Sequence, residues 1–177
     1  SWLVRGAYII TGFGGLVSLR LLDNYLQLGL DWLWIPGIVF AGLGAVYTAF
    51  LFNQARARDL WQTPIQSAIH MFVHAIMAGS VVMMIIAPDS SQWMTNILYW
   101  GIVANVVIMA KEILLPHDTP DTKKAIESMT KGYYSKYFWA GIVNGSLAPI
   151  VLLNVYSGMA IIAGGLALVG TFLTEFV

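Results

Sequence analysis

Residues 63–87 read TPIQSAIHMFVHAIMAGSVVMMIIA, and this stretch is the clearest indication of the fold class. From Pro64 onward it carries no Asp, Glu, Lys or Arg, and about 20 such residues span the hydrocarbon core of a bilayer as an α-helix. Thr63 is placed as the N-cap, Pro64 stands at the first helical position, and Gln66 follows three residues after the cap. The stretch therefore predicts a transmembrane helix at 64–87.

Further apolar stretches of similar length fill most of the chain. Of its 177 residues 58% are hydrophobic and 10% are charged, which is typical of a membrane protein rather than a soluble domain. The other predicted helices are about 3–22, 32–53, 93–115, 137–155 and 157–177. Short links make consecutive helices antiparallel neighbours. We predict an all-α fold, a polytopic transmembrane bundle with six helices in this chain that form a single domain over 1–177.

One polar segment, 116–136, separates the fourth and fifth predicted helices. Its core, DTPDTKKAIESMTKGYYSKY at residues 118–137, mixes both charges with scattered apolar positions. This pattern predicts a short helix at the membrane interface. A solvated connector is the alternative interpretation.

The positive charges predict the orientation in the membrane. Six crossings place both ends of the chain on one side, and the positive-inside rule makes the face rich in Lys and Arg cytoplasmic. That face carries Arg5, Arg56, Arg58, Lys111, Lys123, Lys124, Lys131 and Lys136, whereas Arg20 lies toward the other. Nine basic residues balance nine acidic ones, so the total charge does not indicate a nucleic acid as partner.

The residue types exclude several kinds of redox centre. The chain has no cysteine, so it forms no disulfide, no thiolate metal site and no iron–sulfur cluster of its own. A bis-histidine haem takes its ligands from opposite sides of the ring, but His70 and His74, four residues apart on one helix, point the same way. His117 falls in the polar loop. We therefore expect no metal site and no cofactor bound by this chain.

A polar line nevertheless crosses the predicted third helix. Four polar residues follow three- and four-residue steps and so share one face, which lipid cannot satisfy: Thr63, Ser67, His70 and His74. Imidazole suits proton transfer because its ordinary pKa lies near 6.5. Intramembrane acids could extend a route, and the candidates are His70, His74, Glu112 and Glu175, with Asn105 two turns deeper on the Glu112 face. The alternative is that the histidines are neutral packing residues.

A second polar group lies at the opposite membrane face. Arg20 and Asp23 end the first predicted helix, and Asp31 and Trp32 open the second. A hydrogen-bond donor, acids and a flat aromatic surface are what a quinone head group needs. The alternative is an ordinary helix end with a salt bridge and an aromatic belt.

Three blocks of sequence resemble a known family. They are SWLVRGAYIITGFGGL at 1–16, VYTAFLFNQARARDLWQTPIQSAIHMFVHAIMAGSVV at 46–82 and YFWAGIVNGSLAPIVLLN at 137–154. Together they resemble the NrfD-type, or polysulfide-reductase membrane-subunit, family. The chain differs from the family pattern at Ala49, where Gly is expected, and at Asp59, where Pro is common.

The resemblance implies a role in respiration. Members typically have eight or more transmembrane helices in two four-helix bundles, so the six predicted here would correspond to the third through eighth. They are quinone-reactive membrane anchors in the prokaryotic cytoplasmic membrane, without a redox cofactor of their own. Their partners are a ferredoxin-like iron–sulfur subunit and often a molybdopterin or haem protein. Proton translocation is a further expectation from some relatives.

Two other functions remain open at this point. One is a secondary transporter or ion-translocating subunit without a redox role, for which broken helices and inverted repeats are typical. Gly145 and Pro149 mark an interruption of the fifth helix, but no repeat accompanies it. The other is a pure scaffold, in which polar groups only join helices.

Overall fold

The computed structural model describes residues 1–53, 64–114 and 120–176, which are almost entirely helical and contain no β-strand. The α-helices are α1 (Trp2–Leu26), α2 (Trp34–Asn53), α3 (Pro64–Ile86), α4 (Ser91–Leu114), α5 (Pro120–Thr130), α6 (Ser135–Ile142), α7 (Ala148–Val155) and α8 (Ala160–Phe176). Within these ranges, 5 helical stretches are long and apolar enough to cross a membrane. The chain is a multi-pass membrane protein with the predicted all-α fold.

The helix ends agree with the sequence prediction to within two residues, except that α1 continues to Leu26, beyond the predicted 3–22, and that the last helix starts later. A 3₁₀ turn at Ser157–Met159 precedes α8, which has 17 residues instead of the predicted 157–177. At 1.5 Å per residue this is about 25 Å, shorter than the roughly 30 Å of a bilayer core. The polar segment 116–136 does contain a helix, α5. The predicted N-cap Thr63 and the loop residue His117 lie outside the described residues.

The fifth predicted helix is interrupted where the sequence indicated. A π-helical turn, Val143–Leu147, joins α6 to α7. Gly145 lies in this turn and Pro149 in the first turn of α7. Proline has no N–H to donate to the carbonyl four residues earlier, which is that of Gly145, so regular α-helical bonding cannot continue through this point. The wider π turn is a common local solution.

The chain divides into two compact units, Ser1–Phe72 and Val73–Val177. In the first unit, α1 and α2 pack closely because small residues admit aromatic rings. The Tyr47 ring lies over Gly6 and the Phe40 ring over Gly12, while Trp2 stacks on Phe50 with ring centroids 4.6 Å apart. The single domain over 1–177 stays a prediction.

The second unit has a core of aliphatic and methionine side chains. The end of α3, α4 and α8 contribute the buried residues Met77, Val81, Met84, Leu98, Ile102, Ala160 and Ala167. Close approach is again possible at glycines, since Gly101 faces Met77 and Gly164 faces Val81. This packing holds the three helices that carry the polar groups described next.

Candidate functional site

Three helices of the second unit bring polar side chains together around His74. The ring nitrogen Nε2 of His74, on α3, lies 2.9 Å from Oδ1 of Asn105 on α4. The other ring nitrogen, Nδ1, lies 3.4 Å from Oε1 of Glu175 on α8. We call His74, Asn105 and Glu175 the polar cluster. Each of its residues comes from a different helix, so it depends on their packing.

The orientation of Asn105 is set from its own helix. Its Nδ2 lies 3.7 Å from Sδ of Met109, one turn later on α4. A thioether sulfur is a weak acceptor and never a donor. The amide group therefore directs its N–H toward Met109 and its carbonyl oxygen toward His74.

Burial increases along the polar cluster. The side chain of Glu175 is 37% exposed, that of His74 is 15% exposed, and Asn105 is only 2% exposed. The cluster thus leads from an accessible carboxylate to a buried amide through an imidazole that can both accept and donate a proton. An arrangement of this kind can exchange a proton between the accessible carboxylate and the imidazole, whose other nitrogen is hydrogen-bonded to the buried amide.

The second candidate group, at the junction of α1 and α2, is also assembled in the structure. Arg20 forms ion pairs with Asp23 and Asp31, the latter with its Nη2 2.9 Å from Oδ1 of Asp31. Asp23 Oδ1 also accepts a hydrogen bond of 3.0 Å from the backbone N–H of Leu30. We call Arg20, Asp23 and Asp31 the charged cluster. Trp32 follows Asp31 in a 3₁₀ turn and is exposed.

The two acids of the charged cluster differ in environment. The side chain of Asp23 is 6% exposed and that of Asp31 is 85% exposed. Asp23 holds the loop after α1, because one of its oxygens accepts the Leu30 N–H and the other pairs with Arg20. Asp31 is the acid that an incoming molecule could reach.

The comparison with protein families decides the identity of the chain. The family model described as polysulphide reductase, NrfD, matches residues 12–177. The chain belongs to the NrfD family. No curated protein sequence and no solved structure gives a significant match.

Membership of the NrfD family has a direct consequence for the class of function. It implies a membrane subunit of a polysulphide- or quinone-linked reductase complex, and subunits of this family typically associate with redox partners. The family predicted from the three sequence blocks is confirmed. The multi-pass fold agrees with it.

The four proton-route candidates of this NrfD chain lie on α3, α4 and α8. His74 and Glu175 meet in the polar cluster, while Glu112 lies two turns beyond Asn105 and is half-buried. His70 is buried on α3, one turn before His74. The proton-route role of all four candidates stays a prediction.

Sequence reasoning named Asn105 beside the proton-route candidates but missed it as the partner of His74. It placed the residue only on the Glu112 face, because spacing along one helix cannot show which helix lies opposite. The indication that could have found it is its chemistry: an amide in the middle of the apolar helix α4 must bond across to a neighbouring helix or within its own. The structure shows both kinds of contact.

Proposed function

We propose that this NrfD-family chain anchors an iron–sulfur subunit in the membrane and exchanges electrons with the quinone pool. The family match over residues 12–177 is the observation that carries this proposal. Quinone or quinol is the substrate, and the iron–sulfur clusters belong to the partner subunit. A molybdopterin or haem protein completes the complex.

The charged cluster supports a quinone site at the α1–α2 junction. Oxidation of a quinol releases two electrons and two protons, so the site needs hydrogen-bond donors for the quinone carbonyls and a base for the hydroxyl protons. Arg20 is half-exposed and offers guanidinium N–H donors, while the exposed Asp31 carboxylate can accept a proton. Trp32 supplies an exposed aromatic surface. The electrons pass to the partner's clusters, because this chain contributes position and electrostatics.

The polar cluster supports a route for protons through the second unit. His74 can exchange a proton with Glu175 at Nδ1, and Glu175 connects it to the accessible surface. His70 and Glu112 are the further candidates for this route. We propose that the chain translocates protons through these residues in step with quinone turnover.

One observation favours a second function, an ion-translocating subunit without a redox role. The π turn between α6 and α7 interrupts a membrane-length helix. Interrupted helices line the ion sites of many transporters. This alternative predicts that the chain purifies without a redox partner.

Copurification separates the two functions. The complex is extracted from native membrane in mild detergent, its subunits are identified by mass spectrometry, and its EPR spectrum is recorded before and after addition of quinol. We expect an iron–sulfur subunit whose clusters become reduced by quinol. A chain that purifies without redox subunits would contradict the proposal, and transport assays in liposomes would then test the alternative.

A matched pair of variants tests the quinone site within that complex. Asp31→Asn removes the accessible base of the charged cluster, and Asp89→Asn removes an exposed acid from another loop. We expect the first variant to lower quinone-linked turnover in an assembled complex and the second to leave it unchanged. Equal turnover in both would remove Asp31 from the mechanism.

A further inference from the structure

We infer that Asn105 fixes the ring tautomer of His74, so that His74 and Glu175 hold one shared, transferable proton between them. Asn105 is then a positioning residue that acts through His74. The inference starts from three contacts in the second unit: Asn105 to Met109, Asn105 to His74, and His74 to Glu175.

The first step concerns the amide of Asn105. Its N–H group donates to the Met109 sulfur at 3.7 Å, and the opposite orientation would set the carbonyl oxygen against that sulfur, where no hydrogen is available. The carbonyl oxygen consequently faces His74. Because this oxygen only accepts, the Nε2 atom at 2.9 Å must carry a hydrogen and donate it.

The second step concerns the other side of the ring. With the hydrogen fixed on Nε2, a neutral His74 has a bare lone pair on Nδ1, and this atom lies 3.4 Å from Oε1 of Glu175. A deprotonated carboxylate facing that lone pair would be repelled. One proton between the two atoms removes the repulsion, either as neutral imidazole with a carboxylic acid or as imidazolium with carboxylate.

The transfer itself is a proton movement only. The proton leaves Oε1 of Glu175 and binds Nδ1 of His74. The carboxylate becomes negative and the ring positive, and no electron is transferred. Asn105 stabilises the charged form because its carbonyl oxygen still accepts from Nε2. The reverse step restores the acid. The couple thus stores one proton at the accessible end of the polar cluster.

The same three helices carry other titratable groups. These are His70 on α3, with Tyr99, Lys111 and Glu112 on α4. On α4, Asn105 lies between Tyr99 and Glu112 in the sequence. A role of the His74–Glu175 couple in proton translocation rests on the proposed function, whereas the tautomer of His74 does not.

The wild-type protein gives the first test without any substitution. Val73–His74 is the one Val–His pair in the sequence, so ¹³C-carbonyl valine with ¹⁵N-histidine assigns the ring of His74 in solid-state NMR of the complex in lipid. We expect Nε2 to be protonated. If Nε2 is unprotonated and Nδ1 is protonated, the inference is wrong, even if the redox complex is found.

Two variants test the part played by Asn105. Asn105→Asp keeps an acceptor opposite Nε2, and Asn105→Leu removes it at similar size. We expect Nε2 to stay protonated in Asn105→Asp. In Asn105→Leu we expect Nε2 to release its hydrogen to solvent, while the shared proton stays on Nδ1 and is donated to the Glu175 carboxylate. An unchanged tautomer in Asn105→Leu overturns the inference.

Turnover of the complex tests the positioning role of Asn105 separately from the proposed function. In the assembled complex Asn105→Leu should lower kcat by about 10²-fold with KM for quinol little changed, since the quinone site is untouched. A raised KM with unchanged kcat would contradict a positioning role. If no quinone-linked activity exists at all, the proposed function fails while the NMR result still decides the tautomer.

Discussion

Gly145 in the π turn and Gly170 in α8 are in direct backbone contact. A methyl group added to Gly145 would lie 2.5 Å from the Cα atom of Gly170. Gly141, one turn earlier, packs on the same helix, since its methyl group would meet Thr174 at 2.7 Å. Two glycines four residues apart are a common means of bringing membrane helices together. This contact sets the position of α8, which carries Glu175.

The glycine contact predicts a stability difference between two similar substitutions. Gly170→Ala forces the backbones of α8 and the π turn apart and should destabilise the protein by about 1–3 kcal/mol. Gly165→Ala on the same helix meets no atom of the described residues within 4 Å and should change stability by less than about 1 kcal/mol. Reversible unfolding in mixed micelles measures both. Equal stability of the two variants would show that the close approach is not needed.

Removal of the Glu175 carboxylate should slow proton-coupled turnover. Glu175→Gln preserves the size of the side chain but cannot exchange a proton with His74. We expect quinone-linked turnover of the assembled complex to fall by about 10²-fold or more. Glu127→Gln on the exposed side of α5 serves as the control and should retain wild-type turnover. Full activity of Glu175→Gln would exclude this proton route.

The charged cluster predicts unequal effects of its two acids on stability. Asp23→Ala leaves the Leu30 N–H and the Arg20 guanidinium without their buried partner and should cost about 1–3 kcal/mol. Asp31→Ala breaks an exposed ion pair and should cost about 0–1 kcal/mol. Thermal unfolding of the purified complex compares them. An Asp31→Ala variant less stable than Asp23→Ala would reverse this assignment of roles.

The loop after α1 offers a stabilising substitution. Gln27 has φ 52° and ψ 49° at the C-cap of α1, a left-handed conformation that costs a non-glycine residue about 1–2 kcal/mol. Gln27→Gly removes that cost and should stabilise the protein by about 0.5–1 kcal/mol after its own entropy loss. Gly29→Ala, at φ 72°, should destabilise it by a similar amount. Thermal unfolding of the two variants should shift in opposite directions.

Hydropathy and the positions of glycine and proline predicted most of the fold. Length and absence of charge located the membrane-spanning helices, and Gly145 with Pro149 located the interruption of the fifth, since proline removes a specific hydrogen bond. The start of α8 was placed too early because apolar residues run on through the 3₁₀ turn at Ser157–Met159. Hydropathy does not distinguish such a turn from the helix that follows it.

The candidate site was less accessible to sequence reasoning. Spacing within one helix correctly grouped Arg20 with Asp23, because residues three apart share a face. Contacts between helices, such as His74 with Asn105, depend on the rotation of each helix about its axis. Helices that are apolar on all sides, as α4 nearly is, leave that rotation undetermined by their pattern.

The π turn at Val143–Leu147 also changes how the sequence must be aligned. It accommodates one residue more than an α-helical turn, so the faces of α6 and α7 are out of phase by about 100°. Deleting a single residue there would remove the π turn and rotate every side chain from Pro149 to Val155 about the helix axis. Two homologous chains that differ by one residue in this turn would thus present different faces of α7 despite identical sequences on either side.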